Sequence, residues 1–244
     1  MTDLALIAEG VGAVFPDKSR SFAVFVEHFE LRVGETVILQ APSGAGKSTV
    51  LALLGTALKP DQANRFEVWL ADGDRIDLAR AWAEGDERAL TRVRREMSGY
   101  VLQTGALASF LSVRENIVAP LRFSGQPAAL DIERLARRLG IDDLLGLRPA
   151  QLSVGQRQRV AVARALISGP RLVLADEPTA SLDATLANEV DEVMADAVRA
   201  LPAAMVMASH RPEARTWRDV PRAAVRTEVN NRMSASIFSF GHPS

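Results

Sequence analysis

The run Leu172-Val173-Leu174-Ala175 contains no polar residue and stops abruptly at Asp176-Glu177-Pro178. It is too short for a helix and apolar on both faces, so it predicts a strand of a parallel sheet covered on both sides. A chain holding such a strand must fold as layers around that sheet. Thr36-Val37-Ile38-Leu39 and Ala203 to Ala208 read the same way. Helices are predicted from Lys47 to about Leu58, Arg88 to Met97, Ser112 to about Phe123, Leu130 to Leu139, Gln156 to Ile167 and Ala184 to Ala200. Leu4-Ala5-Leu6-Ile7, Phe22 to Val26 and the alternating Phe29 to Val33 predict an opening block of strands, with others at 66–70 and at Tyr100 to Gln103. The expectation is a single α/β domain over residues 1–244, with a mostly helical block, about 104–160, set between two core strands.

The strand at 36–39 leads into Ser43-Gly44-Ala45-Gly46-Lys47-Ser48-Thr49. Closely spaced glycines let backbone N–H groups wrap an anion, and the helix beginning near Lys47 aims its positive end at the same place. This predicts a phosphate-binding loop. Lys47 reaches the β- and γ-phosphates, the Ser48 hydroxyl ligates Mg²⁺, and Thr49 lies beside the α-phosphate. The usual first glycine of the pattern is Ala41 here, which serves if its φ stays negative. Asp176 and Glu177 arrive at the C-terminal end of a buried strand, where open α/β sheets bind ligands. Asp176 is expected to hold Mg²⁺ and Glu177 to act as general base on an attacking water.

A net charge of −1 argues against nucleic acid as the main partner, and the absence of cysteine removes disulfides, thiolate metal sites and Cys nucleophiles. No apolar run approaches the ~18–20 residues needed to span a bilayer.

Leu152-Ser153-Val154-Gly155-Gln156, continuing through Leu166, resembles the signature segment of the ATPase subunit of ATP-binding cassette (ABC) systems. The resemblance runs over nearly the whole chain. It implies a P-loop NTPase core with an N-terminal antiparallel β-subdomain and an inserted helical subdomain. It implies that Ser153, Gly155 and Gln156 meet the nucleotide bound to the opposite subunit; the third position, commonly Gly, is Val154 here. A serine N-cap followed by a small residue suits an anion. By the same resemblance Gln103 senses Mg²⁺ and γ-phosphate, Asp183 of Ser181-Leu182-Asp183 crosses the dimer interface, and His210 is the switch histidine. Phe15 is the expected ring on the adenine, with Phe22 and Phe25 competing for that place.

The resemblance thus implies an ATP hydrolase using ATP and Mg²⁺ as a homodimer or heterodimer. It sits on the cytoplasmic face of the cell membrane through a separate transmembrane permease. The stretch Gln103 to Leu107 and on through Phe110-Leu111-Ser112 to Ile117 looks like the lipoprotein-release and macrolide-export branch, with Phe110 and Leu111 as candidate permease contacts. The alternative is a non-transport ABC ATPase of a soluble assembly or cell-division complex.

Overall fold

The structure, a computed structural model, describes residues 3–17, 20–125, 127–211, 214–230 and 233–241. In chain order it runs β1 (Leu4–Phe15), β2 (Ser21–Arg32), β3 (Thr36–Leu39), α1 (Lys47–Leu54), β4 (Arg65–Trp69), β5 (Arg75–Asp77), α2 (Leu78–Glu84), α3 (Glu87–Glu96) and β6 (Ser98–Val101). It continues through α4 (Val113–Ser124), α5 (Ile132–Arg138), α6 (Val154–Leu166), β7 (Leu172–Asp176), α7 (Ala184–Ala200), β8 (Ala204–Ala208), β9 (Arg222–Val229) and β10 (Met233–Phe240). Short 3-10 turns lie at Asp142–Leu144, Pro149–Gln151 and Arg215–Trp217.

The strands follow the order β5-β4-β1-β2-β10-β9-β3-β8-β7-β6. Pairing of β3 with β8, β8 with β7 and β7 with β6 is parallel. β3, β7 and β8 are buried on both faces, as their apolar runs require. Leu172 and Leu174 of β7 face one core with Val37, Leu39 and Val206, while Val173 and Ala175 face a second core with Ile38, Met205 and Met207. The first core takes in α1 to α3 and the opening strands; the second takes in α4 to α7.

Two expectations change. The opening block is not purely antiparallel: β1 pairs antiparallel with β2 and β4, but β10 lies parallel to β2. The residues after His210, where no element is predicted, supply β9 and β10, which join the opening strands to the core sheet. Several boundaries also shift. α1 stops at Leu54, where Gly55 caps it and Thr56 turns left-handed. α6 starts at Val154 rather than Gln156, because Ser153 caps it.

Candidate active site

β3 ends at Leu39 and the chain turns through 40–46 into α1. Gly44 and Gly46 both take positive φ, 78° and 89°. At Gly46 no other residue fits: a Cβ there would stand 2.4 Å from Val24 Cγ2, so the loop is pressed onto β2. Ala41 is absent from the residues with left-handed backbone, so it keeps the negative φ that lets it replace glycine. Lys47 Nζ donates to Ala41 O at 2.8 Å and to Pro42 O at 3.3 Å, which folds the ammonium back across the loop.

β7 and β8 carry the other half of the site. Asp176 is the last residue of β7 and Glu177 follows with φ 49°, a left-handed backbone costly for a residue with a Cβ. Its N–H donates to Ala208 O at 3.0 Å, locking the turn to the end of β8. The His210 Nε2 and Glu177 Oε1 are 2.7 Å apart. On the other carboxylate oxygen, Gln103 Nε2 donates to Glu177 Oε2 at 3.4 Å. Gln103 lies two residues past β6, in a turn rather than on the strand.

These groups surround a cleft of about 400 Å³ lined by Phe22, Ser43, Gly44, Gly46, Lys47, Ser48, Thr49, Gln103, Glu177 and His210. Its floor and walls are polar with one aromatic edge, which suits a polyphosphate bearing a flat ring. A larger groove, about 570 Å³, lies between α5 and α7 and carries none of these residues.

Some predicted residues stand back from the cleft. Ala45 does not line it; its N–H is turned to Pro42 O. Asp176 is nearly covered, and its charge is felt by Tyr100 on β6, whose hydroxyl is pushed up by burial first and by Asp176 second. Phe15 is 38% exposed and lies outside the lining, but its ring stacks on that of Phe22, centroids 6.4 Å apart and 25° between planes. Phe22, read as a competitor, is the ring that touches the cleft. Phe25 is half-buried on β2, against Gly12 of β1.

Ser153, Gly155, Gln156 and Asp183 are not in the lining either. Ser153 Oγ accepts from Gln156 N at 3.2 Å and Gln156 Oε1 accepts from Ser153 N at 2.8 Å, a reciprocal cap at the start of α6. The Gln156 amide is therefore engaged within its own chain. Val154 is exposed. A Cβ on Gly155 would meet Leu182 Cδ2 at 2.8 Å, so the signature segment rests against 181–183. Asp183 caps α7, its Oδ1 accepting from Thr185 N and Leu186 N, each at 3.0 Å.

The hydroxyl of Ser48, the carboxylate of Asp176 and the amide oxygen of Gln103 are hard oxygen donors of the sort Mg²⁺ takes in small number, with phosphate and water completing its shell. No group of three or more His, Asp or Glu able to hold a metal occurs among the described residues.

The ABC transporter family model matches residues 27–180. The lipoprotein-releasing system ATP-binding protein LolD of Granulibacter bethesdensis is 38% identical over 195 residues, covering 78% of this chain and 81% of that protein. The LolD of Paramagnetospirillum magneticum is 40% identical over 189 residues, 76% of this chain and 79% of that protein. The macrolide export ATP-binding/permease protein MacB of Bordetella avium is 38% identical over 170 residues, which are 68% of this chain and 24% of that protein. Among solved structures, the dimeric post-hydrolysis state of the ATP-binding cassette MJ0796 bound to ADP and Pi superposes with a TM-score of 0.71 at 28% identity. The match covers 86% of this chain and 90% of that one.

Proposed function

The chain belongs to the ABC transporter family and is an ATP hydrolase, and we propose that it works as one of two cassettes closing face to face on ATP beneath a separate membrane-embedded permease. One observation carries this reading. The cleft gathers the phosphate loop, Gln103, Glu177 and His210, while Ser153 and Gly155 stand outside it. A site divided in this way is completed by Ser153 and Gly155 of a second cassette.

In that arrangement the loop 43–49 and Lys47 hold the phosphates, and Lys47 exchanges its two loop carbonyls for phosphate oxygens. Ser48, Asp176 and Gln103 hold Mg²⁺, which, when bound, offsets negative charge on the β- and γ-phosphates. Phe15, backed by Phe22, receives the adenine face. Glu177 takes a proton from the attacking water; an oxygen–phosphorus bond forms as the bond from the γ-phosphorus to the leaving ADP oxygen breaks. His210 and Gln103 hold the two oxygens of that carboxylate. ATP thereby glues two cassettes and hydrolysis releases them.

The permease is a separate chain in this reading; no helix of the described residues is long and apolar enough to cross a membrane. The docking region lies around α4. Phe110 and Phe123, 74% and 77% exposed, stand before and near the end of that helix, while Leu111 is half-buried. The loop bearing Phe110 is pinned by buried Asn116, whose amide accepts from Ala108 N at 2.8 Å and donates to Ala108 O at 3.1 Å. A rigid loop presenting an aromatic ring suits a protein contact. The LolD and MacB relatives support a cargo of lipoproteins, lipids or small hydrophobic compounds, handled from the cytoplasmic face of the membrane.

Two experiments test the reading. Mixing Ser153→Arg protein with Lys47→Ala protein, each inactive alone, restores part of the hydrolysis, because one composite site in the mixed dimer is intact. No recovery overturns the divided site. Affinity capture from detergent-solubilised membranes yields a stoichiometric polytopic protein; capture of a soluble assembly instead overturns the transport role.

A further inference from the structure

His210 projects into the cleft, but the residue after it turns inward. Arg211 N donates to Ser209 Oγ at 3.0 Å, drawing 209–211 into a tight turn at the end of β8. The Arg211 guanidinium then reaches α7, where Nη2 donates to Asn188 Oδ1 at 2.8 Å. One helical turn farther along α7 is Asp191, 1% exposed. Three buried polar atoms here have no hydrogen-bond partner: Arg211 Nη1, Asp191 Oδ2 and Trp217 Nε1.

Burial pushes the Asp191 carboxyl up to about 6. The Trp217 indole N–H and the Arg211 charge oppose that rise, although the indole stops short of hydrogen-bond geometry. Arg211 and Trp217 are the groups facing Asp191 from outside its own helix, Arg211 being the charged one.

A surface arginine normally leaves its head in water and buries only its stem. Here the head is drawn into α7, beside an acid that is itself expensive to bury. The arrangement does not serve α7, whose start is already capped by Asp183. It serves the segment that carries His210.

We propose that Arg211 is a positioning residue, held on α7 by its hydrogen bond to Asn188, which sets the backbone of residue 210 so that the His210 ring meets Glu177. The same hold fastens that ring to the helix that begins at Asp183. A shift of α7 when the segment 181–183 meets a second cassette is then felt at His210 without any intervening loop. The proposal rests on the reading that His210 and Glu177 serve hydrolysis.

The test is steady-state ATP hydrolysis by the full-length chain with four substitutions. Asn188 is exposed, so Asn188→Ala removes only the acceptor and leaves the melting temperature unchanged. Its kcat is expected to fall about fivefold to tenfold, with KM for ATP within about twofold of the unaltered protein. Asn188→Asp, whose carboxylate accepts from the same Nη2, is expected to restore turnover. Arg211→Ala is expected to lose at least about tenfold in kcat. His210→Ala separates the layers of the argument. If His210→Ala is inactive while Asn188→Ala and Arg211→Ala turn over normally, the positioning role is overturned and the catalytic reading stands. If His210→Ala turns over normally, the catalytic reading falls and the proposal falls with it.

Discussion

Glu177 Oε1 and His210 Nε2 stand 2.7 Å apart across the ends of two adjacent parallel strands, β7 and β8. The contact depends on the backbone of Glu177, whose φ of 49° swings its side chain out of the strand line and over the cleft. Backbone strain of this sort costs roughly 1–3 kcal/mol and persists where surrounding structure enforces it. The enforcing contact is the hydrogen bond from Glu177 N to Ala208 O.

Glu177→Gln keeps the size and the contacts to Gln103 while removing the base. Its kcat is expected to fall about 10²–10⁴-fold, with ATP affinity preserved and dimer accumulating in ATP. Hydrolysis assays paired with size-exclusion chromatography check both, and near-normal turnover would dismiss Glu177 as the base.

Gly46→Ala is expected to destabilise the protein even without nucleotide. The left-handed backbone costs about 1–2 kcal/mol, and the clash with Val24 Cγ2 adds about 1–3 kcal/mol. Gly44 has a similar φ of 78° but open space around it, so Gly44→Ala pays only the backbone cost. Urea unfolding of the two variants isolates the contact with β2; equal losses would show that the clash relaxes freely.

Phe15→Ala is expected to weaken ATP binding by about 1–3 kcal/mol, the range for one base stacked on an aromatic ring. It leaves unfolding nearly unchanged, because Phe15 is at the surface. Phe22→Ala is expected to lower both, since that ring lines the cleft and also packs against the core. Nucleotide titration and thermal melts read the two effects separately, and unchanged affinity in both variants would remove the adenine from this place.

Asp191→Asn is expected to stabilise the fold at neutral pH. The folded carboxyl titrates at about 6 against an ordinary 3.8, so the folded state holds the proton more tightly. That contribution is full below pH 3.8 and is lost as pH rises through about 6. The ionised group costs on the order of 3 kcal/mol at pH 7. Asparagine, which mimics the protonated form, recovers much of that at pH 7.5 and little near pH 4. Chemical denaturation at the two pH values checks the prediction; an equal change at both would mean that Asp191 titrates normally.

The buried strands and the phosphate loop were legible because their constraints are local. β7 is apolar on both faces, and α7 spans Ala184–Ala200 as its pattern predicts. β2 reads as two pieces but is one strand. Its pairing with β10 steps from Val26 to His28, leaving Glu27 as an extra residue, and this bulge breaks the alternation a strand is recognised by. Glu27 instead faces Arg226 of β9, with the two ion-pair distances 2.6 and 2.7 Å. β9 is hidden for a related reason: exposed over most of its length, it carries Arg, Thr and Glu rather than an apolar run. At the site, motif order picks out Gln103, Glu177 and His210, but no local pattern reveals that Phe22 rather than Phe15 lines the cleft. That depends on which faces of β1 and β2 turn toward the loop. Arg211 and Asp191 were likewise invisible, since their relation exists only when β8 and α7 are side by side.

β10 lies between β2 and β9 and so joins the first two strands of the chain to the rest of the sheet. The strand pairing that ties the opening hairpin to the core sheet therefore waits, in folding, on a strand about two hundred residues away. Gly46 rests on Val24 of β2, so the phosphate-binding loop leans on the same strand that β10 ties to the sheet. A chain cut before residue 233 is therefore expected to hold its helices and to bind nucleotide more weakly.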